Sequence, residues 1–271
     1  MAKFFRVEDV DGNSISMENL ESISNRVDSI SSESTENQYP SAKAVYELIN
    51  GHDYSQDYFT FIAKSSGTFK FNGLSSGGTT NAIQYSIDNG NTWSDAAQTV
   101  EINVQNGDIV LWKGEMTPIE GQVQTVNNCG IGTFSESTAY FDVKGNIMSL
   151  LFGDDYANQT SLSNKNCAFA ALFFQAKVID ASNLILPATT LSYYCYAFLF
   201  QGCASLTTAP QLPATTLAEC CYRNTFYDCT SLITAPQLNA TTLSDGCYFN
   251  MFGGCTTLTK APELRATTLV S

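Results

Sequence analysis

Residues 188–213 read Ala-Thr-Thr-Leu-Ser-Tyr-Tyr-Cys-Tyr-Ala-Phe-Leu-Phe-Gln-Gly-Cys-Ala-Ser-Leu-Thr-Thr-Ala-Pro-Gln-Leu-Pro, and the opening Ala-Thr-Thr-Leu returns at 214–217, 240–243 and 266–269. The period is 26 residues. Overlaying 188–213, 214–239 and 240–265 leaves a shared frame of Ala-Thr-Thr-Leu, Cys-Tyr, Phe, Cys, Leu, Ala-Pro and Leu at fixed offsets. A unit this short cannot bury its own apolar face, so the copies must stack, with equivalent residues forming ladders along one axis.

In that stack Phe200, Phe226 and Phe252 form one ladder and Leu206, Leu232 and Leu258 another, while Pro210, Pro236 and Pro262 mark a recurring turn. Cysteine supplies two more: Cys195, Cys221 and Cys247, then Cys203, Cys229 and Cys255. Small buried thiols fill such slots well, and free thiols are expected because each ladder holds an odd number. Disulfides between coils are the competing reading, since stacked strands and bridged cysteines share a spacing of about 5 Å. Cys220, beside Cys221, is assigned to a variable surface slot. One period upstream, Leu172, Phe174 and Leu186 fit the frame, and Lys177 and Asp180 replace the expected Cys and Leu, as in a degenerate first coil.

The run Phe-x-x-Cys-x-x-Leu followed by Leu-Pro-Ala-Thr-Thr-Leu (Phe200, Cys203, Leu206, then Leu212 to Leu217) resembles the BspA-like leucine-rich repeats of gut and oral bacteria and their phages. The resemblance covers roughly residues 160–271. It implies a right-handed solenoid of short strands, adhesion to proteins or glycans, and no catalysis.

Upstream, apolar residues alternate at Phe59/Phe61, Phe69/Phe71, Ile83/Tyr85/Ile87, Val100/Ile102/Val104 and Ile109/Leu111, the period of half-buried strands. Asp88-Asn89-Gly90-Asn91 is a hairpin turn signal. Short strands with frequent turns predict an Ig-like β-sandwich with Trp93 and Trp112 in its core.

Near the start, Leu20, Ile23, Val27 and Ile30 recur at 3-4-3 spacing, an oligomerisation seam of less than two heptads. Ser41 is placed to cap a short helix that buries Val45, Leu48 and Ile49. The phrase Pro-Ser-Ala-Lys-Ala-Val-Tyr (40–46) resembles a segment near the N-termini of tailed-phage tail and fibre proteins. The expected fold is thus mainly β: an attachment segment with a short α-helix over 1–52, an Ig-like β-sandwich over 53–155, and a leucine-rich-repeat solenoid of 26-residue coils over 156–271.

Lys+Arg 13 against Asp+Glu 26 gives 13 − 26 = −13. That charge repels phosphate backbones, and nucleic acid is excluded as a partner. One histidine, His52, leaves little for acid–base or metal chemistry. Asp154-Asp155 reads as a solvated turn, because no spaced carboxylate series accompanies it to complete a calcium site. The motifs of serine hydrolases, nucleotide-binding loops, zinc proteases and dinucleotide folds are missing, so no enzyme, cofactor or metal is expected. No apolar run reaches the roughly 20 residues of a membrane span, and the first residues carry no secretory signal.

Positions that vary between copies do not set the fold. Tyr193, Tyr194, Glu219, Arg223, Asn224, Asp245 and Asn250 fall in such slots and are expected to line a surface suited to a host glycan or protein, the alternative being ordinary solvated surface. These features predict a phage virion fibre or decoration protein. The N-terminus would join other virion proteins, the chains would form a homo-oligomer, a trimer ahead of a dimer, and the repeats would attach the virion surface to the host. The alternative is an exported bacterial cell-surface adhesin with the same repeats. Because Ala266-Thr-Thr-Leu269 opens a further copy without a polar cap, coverage of Leu258 and Leu264 by another chain is also expected.

Overall fold

The computed structural model describes residues 54, 57–76, 79–80, 83–96, 98–120 and 129–269. The expected seam of Leu20, Ile23, Val27 and Ile30, the 41–49 helix and His52 lie outside the described residues. Residues 54–271 make one compact unit. It is mainly β, with a single short α-helix among the described residues.

The strands in chain order are β1 (Phe59–Ala63), β2 (Gly67–Gly73), β3 (Ser75–Ser76), β4 (Thr79–Thr80), β5 (Ile83–Ser86), β6 (Ser94–Ala96), β7 (Thr99–Val104), β8 (Ile109–Lys113), β9 (Gly132–Thr133), β10 (Phe141–Asn146), β11 (Asn183–Ile185), β12 (Thr242–Leu243) and β13 (Thr268–Leu269). A short α-helix, α1 (Ser149–Phe152), follows β10. A six-stranded sheet runs β11-β10-β1-β8-β5-β6, and a three-stranded sheet runs β7-β2-β9. Rings from both sheets meet in one core: Phe61 of β1 lies 4.5 Å from Phe141 of β10, 5.2 Å from Phe69 of β2 and 4.7 Å from Phe134.

Two expectations about side-chain direction are corrected. In β8 it is Val110 and Trp112 that are buried, while Ile109 is 38% exposed, because β8 pairs with β1 in a register that turns the other side of its pleat inward. Trp93 is only partly buried, lying over the Lys113 ammonium at 4.3 Å, and Ile87 at 69% exposure is outside the core. The expected turn is present: Asn89 and Gly90 both take positive φ, and Asp88 accepts hydrogen bonds from Ser86, the Thr92 hydroxyl and the Thr92 N–H.

β10 serves both halves of the unit. It pairs antiparallel with β1 on one edge and parallel with β11 on the other, and Phe141 forms a further parallel bridge with Val178. Parallel bridges then climb the copies, Asp180 to Thr208 to Thr234 and Ser161 to Thr190 to Thr216. The hydrophobic core accordingly runs without a break across residues 155 and 156.

The first copy is out of the expected register by one residue. Phe173, not Phe174, stacks beneath Phe200 at 5.0 Å and 11°, and Phe169 stacks beneath Tyr196 at 5.7 Å. Ala176 rather than Lys177 therefore occupies the place of Cys203, and Lys177 turns away to donate to the Thr138 carbonyl. The offset to the next copy is thus 27 residues along the ribbon and 28 at the Asp180–Thr208 bridge, against 26 at the Thr208–Thr234 bridge.

Candidate binding face on the stacked repeats

The cysteine-to-cysteine segment of each copy is neither helix nor ladder strand but a ribbon of successive turns. In the copy beginning at Ala188, the N–H groups of Cys195, Ala197, Leu199, Gln201 and Cys203 each donate to the carbonyl three residues back. The N–H groups of Tyr194, Tyr196, Phe198, Phe200 and Gly202 donate instead to Glu219, Cys221, Arg223, Thr225 and Tyr227 of the next copy. Alternate donors thus satisfy the ribbon itself and the stack, so the backbone is paired without regular structure.

Every second turn carries a residue of positive φ, at Tyr194, Phe198 and Gly202, then Cys220, Asn224 and Asp228, then Gly246, Asn250 and Gly254. This conformation folds the chain so that side chains point two inward and two outward. Cys195-Tyr196 and Leu199-Phe200 face the core, and the pairs between and before them face away from it.

The outward pairs build the candidate face. Tyr193, Glu219 and Asp245 occupy one column, Ala197, Arg223 and Phe249 a second, and Phe198, Asn224 and Asn250 a third, as the copy-to-copy hydrogen bonds fix. Glu219, Asp245, Phe249 and Asn250 are exposed, while Tyr193, Phe198, Arg223 and Asn224 are half-buried. The Arg223 guanidinium sits over the Phe249 ring, 4.5 Å from its centroid, which places a cation on an exposed aromatic side chain. Burial and the nearby Glu219 carboxylate push the Tyr193 hydroxyl above its usual range, so it is a neutral hydrogen-bond donor.

Tyr194 and Cys220 do not lie on this surface. They are buried in a small outer cluster with Cys129, Cys167, Ala170 and Ala197, packed under Tyr193 and Phe198. The face therefore passes from aromatic and apolar in the copy beginning at Ala188 to charged and amide-bearing residues, with one exposed ring, in the two copies after it. Phe249, which none of the sequence arguments singled out, is the largest exposed ring on it, at 54% exposure. Its signal was an aromatic residue in a slot that holds Ala and Arg in the other copies.

The Asp154 carboxylate is a structural ligand: the Lys113 ammonium donates to it at 2.8 Å and the Tyr58 hydroxyl at 2.7 Å, and these donors hold it below the usual carboxylate range. Among the described residues no cluster of His, Cys, Asp and Glu is arranged to hold a metal, and no helix is long and apolar enough to cross a membrane. No family model, curated protein or solved structure matches the chain.

Proposed function

We propose that this protein is a non-enzymatic adhesive component of a phage virion, a fibre or decoration protein whose repeats contact the host surface. On this reading residues 156–271 are a leucine-rich-repeat solenoid, residues 53–155 an Ig-like β-sandwich that acts as spacer, and residues 1–52 the attachment and oligomerisation segment. The observation that carries it is the division of labour on the turn ribbon. Inward pairs repeat almost unchanged, as Cys-Tyr at 195–196, 221–222 and 247–248, whereas the outward pairs between them read Ala-Phe, Arg-Asn and Phe-Asn. A scaffold that frees its outward positions from folding constraints can vary them for recognition, which is how adhesive surfaces gain specificity.

The ligand class that suits the face is a neutral or partly cationic surface glycan. Phe249 and Tyr193 offer ring faces, Arg223, Asn224 and Asn250 offer donors, and Glu219 and Asp245 accept hydroxyl protons. The net charge of −13 opposes a strongly anionic polymer.

The test is binding of the fluorescently labelled full chain to glycan arrays and to intact cells of gut and oral bacteria. The Arg223→Ala/Phe249→Ala double variant is expected to bind at least about tenfold more weakly, roughly 1.4 kcal/mol, with an unchanged melting curve. Undiminished binding by the folded double variant would remove the assigned face, and binding to no cell or glycan would remove the adhesive function.

A further inference from the structure

Of the nine cysteines, all unbridged, six form the two ladders of the repeat, and the other three, Cys129, Cys167 and Cys220, share the outer cluster, where Cys129 and Cys167 meet across the join between the strands and the first copy. Cys129 precedes Gly130, which pairs with Ile119 through two backbone hydrogen bonds of 2.9 Å. That pairing presses residues 129–130 onto the first turn ribbon: a Cβ at Gly130 would lie 2.7 Å from the Ala170 carbonyl oxygen and 3.3 Å from that of Cys167. Cys167 has a φ of 58°, the positive-φ position that directs a side chain off the ribbon, away from the core-facing cysteines. The two thiols consequently pack together in the outer cluster and share a hydrogen bond.

The other ladder thiols are placed for a different task. Cys203, Cys229 and Cys255 donate to the carbonyls of Phe173, Phe200 and Phe226, one copy upstream, at 3.0 to 3.1 Å. Burial pushes the Cys195 thiol up to about 12 and raises Cys203, Cys221 and Cys229 still further, so these remain protonated and inert. The shared hydrogen bond acts in the opposite sense on Cys129. It favours the thiolate there and holds Cys167 as the thiol donor.

We propose that Cys129 and Cys167 are a redox-active dithiol that closes to a disulfide under a small peroxide oxidant, stapling the Cys129–Gly130 backbone to the first repeat. The Cys129 thiolate attacks one oxygen of hydrogen peroxide, the O–O bond breaks, and the departing hydroxide is protonated to water. The Cys167 sulfur then attacks the resulting sulfenic acid. The S–O bond breaks, the S–S bond forms, and the hydroxide leaves as water with the proton of Cys167. Two thiols are oxidised by two electrons in all, and one peroxide becomes two waters. Both residues are almost wholly covered, at 2% and 1% exposure, which selects a small oxidant over a bulky disulfide.

The pairing can be read without any substitution. Trypsin places Cys129 alone in the peptide 114–144 and Cys167 alone in 166–177. Brief treatment of the reduced full chain with dilute hydrogen peroxide, quenching and alkylation in denaturant should lower the free-thiol count from nine to seven and join those two peptides. Cys167→Ser should instead leave Cys129 trapped as a sulfenic acid that a dione reagent captures. Nine thiols remaining after treatment, or losses spread over the ladder cysteines, would overturn the proposal. So would a Cys167→Ser chain, folded by its melting curve, whose Cys129 resists the reagent.

Discussion

The rings of Phe200 and Phe226 lie with centroids 5.6 Å apart and planes within 6° of parallel, one period of sequence apart. The same relation joins Phe173 to Phe200 and Phe226 to Phe252, and Phe134 lies over Phe173 at 6.2 Å and 25°. A single column of five rings thus begins among the strands and ends in the last full copy. Beside it, Phe169, Tyr196, Tyr222 and Tyr248 make a second column at 5.6 to 5.9 Å. Each aromatic contact adds about 0.5–1.5 kcal/mol beyond its buried area, so the columns align the copies as well as holding them together.

Phe173 is the ring on which both halves of the unit depend, since it also touches Phe59, Phe61 and Phe141. Phe173→Ala should destabilise by about 3–5 kcal/mol. The chain 54–271 should still unfold in one urea transition, with the fluorescence of Trp93 and Trp112 and the far-ultraviolet dichroism moving together. Two separated transitions in the unsubstituted chain would show that the shared core does not couple the halves.

Cys229 offers a test of why cysteine, and not valine, fills the ladder. Its thiol donates to the Phe200 carbonyl at 3.1 Å, so Cys229→Ser retains a donor at this position. Cys229→Val keeps the volume and removes this second donor from the Phe200 carbonyl, which still accepts from the Cys203 N–H at 3.0 Å, so the cost is about 0.5–1.5 kcal/mol. Thermal melts should rank valine below serine. The reverse order would mean that packing, not the thiol hydrogen bond, decides the position.

Gly246 and Asn250 occupy equivalent turns with φ of 57° and 52°. Gly246→Ala must place a Cβ 2.8 Å from the Cys220 sulfur as well as adopt the left-handed conformation, so a loss of about 1–2 kcal/mol is expected. Asn250→Gly, at an exposed position, should change stability by less than about 0.5 kcal/mol. Chemical denaturation of the two variants provides the comparison, and equal effects would contradict the role assigned to the turn ribbon.

Tyr58 ties alkaline stability to the Asp154 contact. Burial first, then the hydrogen bond to the Asp154 carboxylate, raises its hydroxyl from the ordinary value to about 12. The folded state therefore favours the neutral phenol. Its contribution is complete below about pH 10, where the unfolded tyrosine is still protonated, and is lost as pH rises from about 10 toward 12. The difference in urea midpoint between the natural chain and Tyr58→Phe should shrink across that window. A difference independent of pH would show that Tyr58 contributes packing alone.

The period, the ladder members Phe200, Phe226 and Phe252, and the strands around Phe59, Phe69 and Ile83 were legible because each rests on a local rule. A repeat must place identical residues in identical surroundings, and a strand must alternate. The two-in, two-out ribbon was not legible, since it follows neither the 3.6-residue nor the 2-residue period and depends on positive φ at residues as unlike as Tyr194, Asn224 and Gly246.

Tertiary structure also settled matters that no local pattern contains. The register of the first copy, with Phe173 in place of Phe174, was set by which ring could reach both Phe134 and Phe200. Tyr194 and Cys220 were taken from the surface by the cluster that forms beside Cys129. The meeting of Cys129 with Cys167 depends on the Ile119–Gly130 pairing, which brings distant segments together. The sequence by itself determined that copies stack and which residues face inward along the ladders, because burial of a repeated apolar face admits no other arrangement. How the stack is seated on the strands was decided by long-range packing, whose energies belong to pairs of residues rather than to either residue alone.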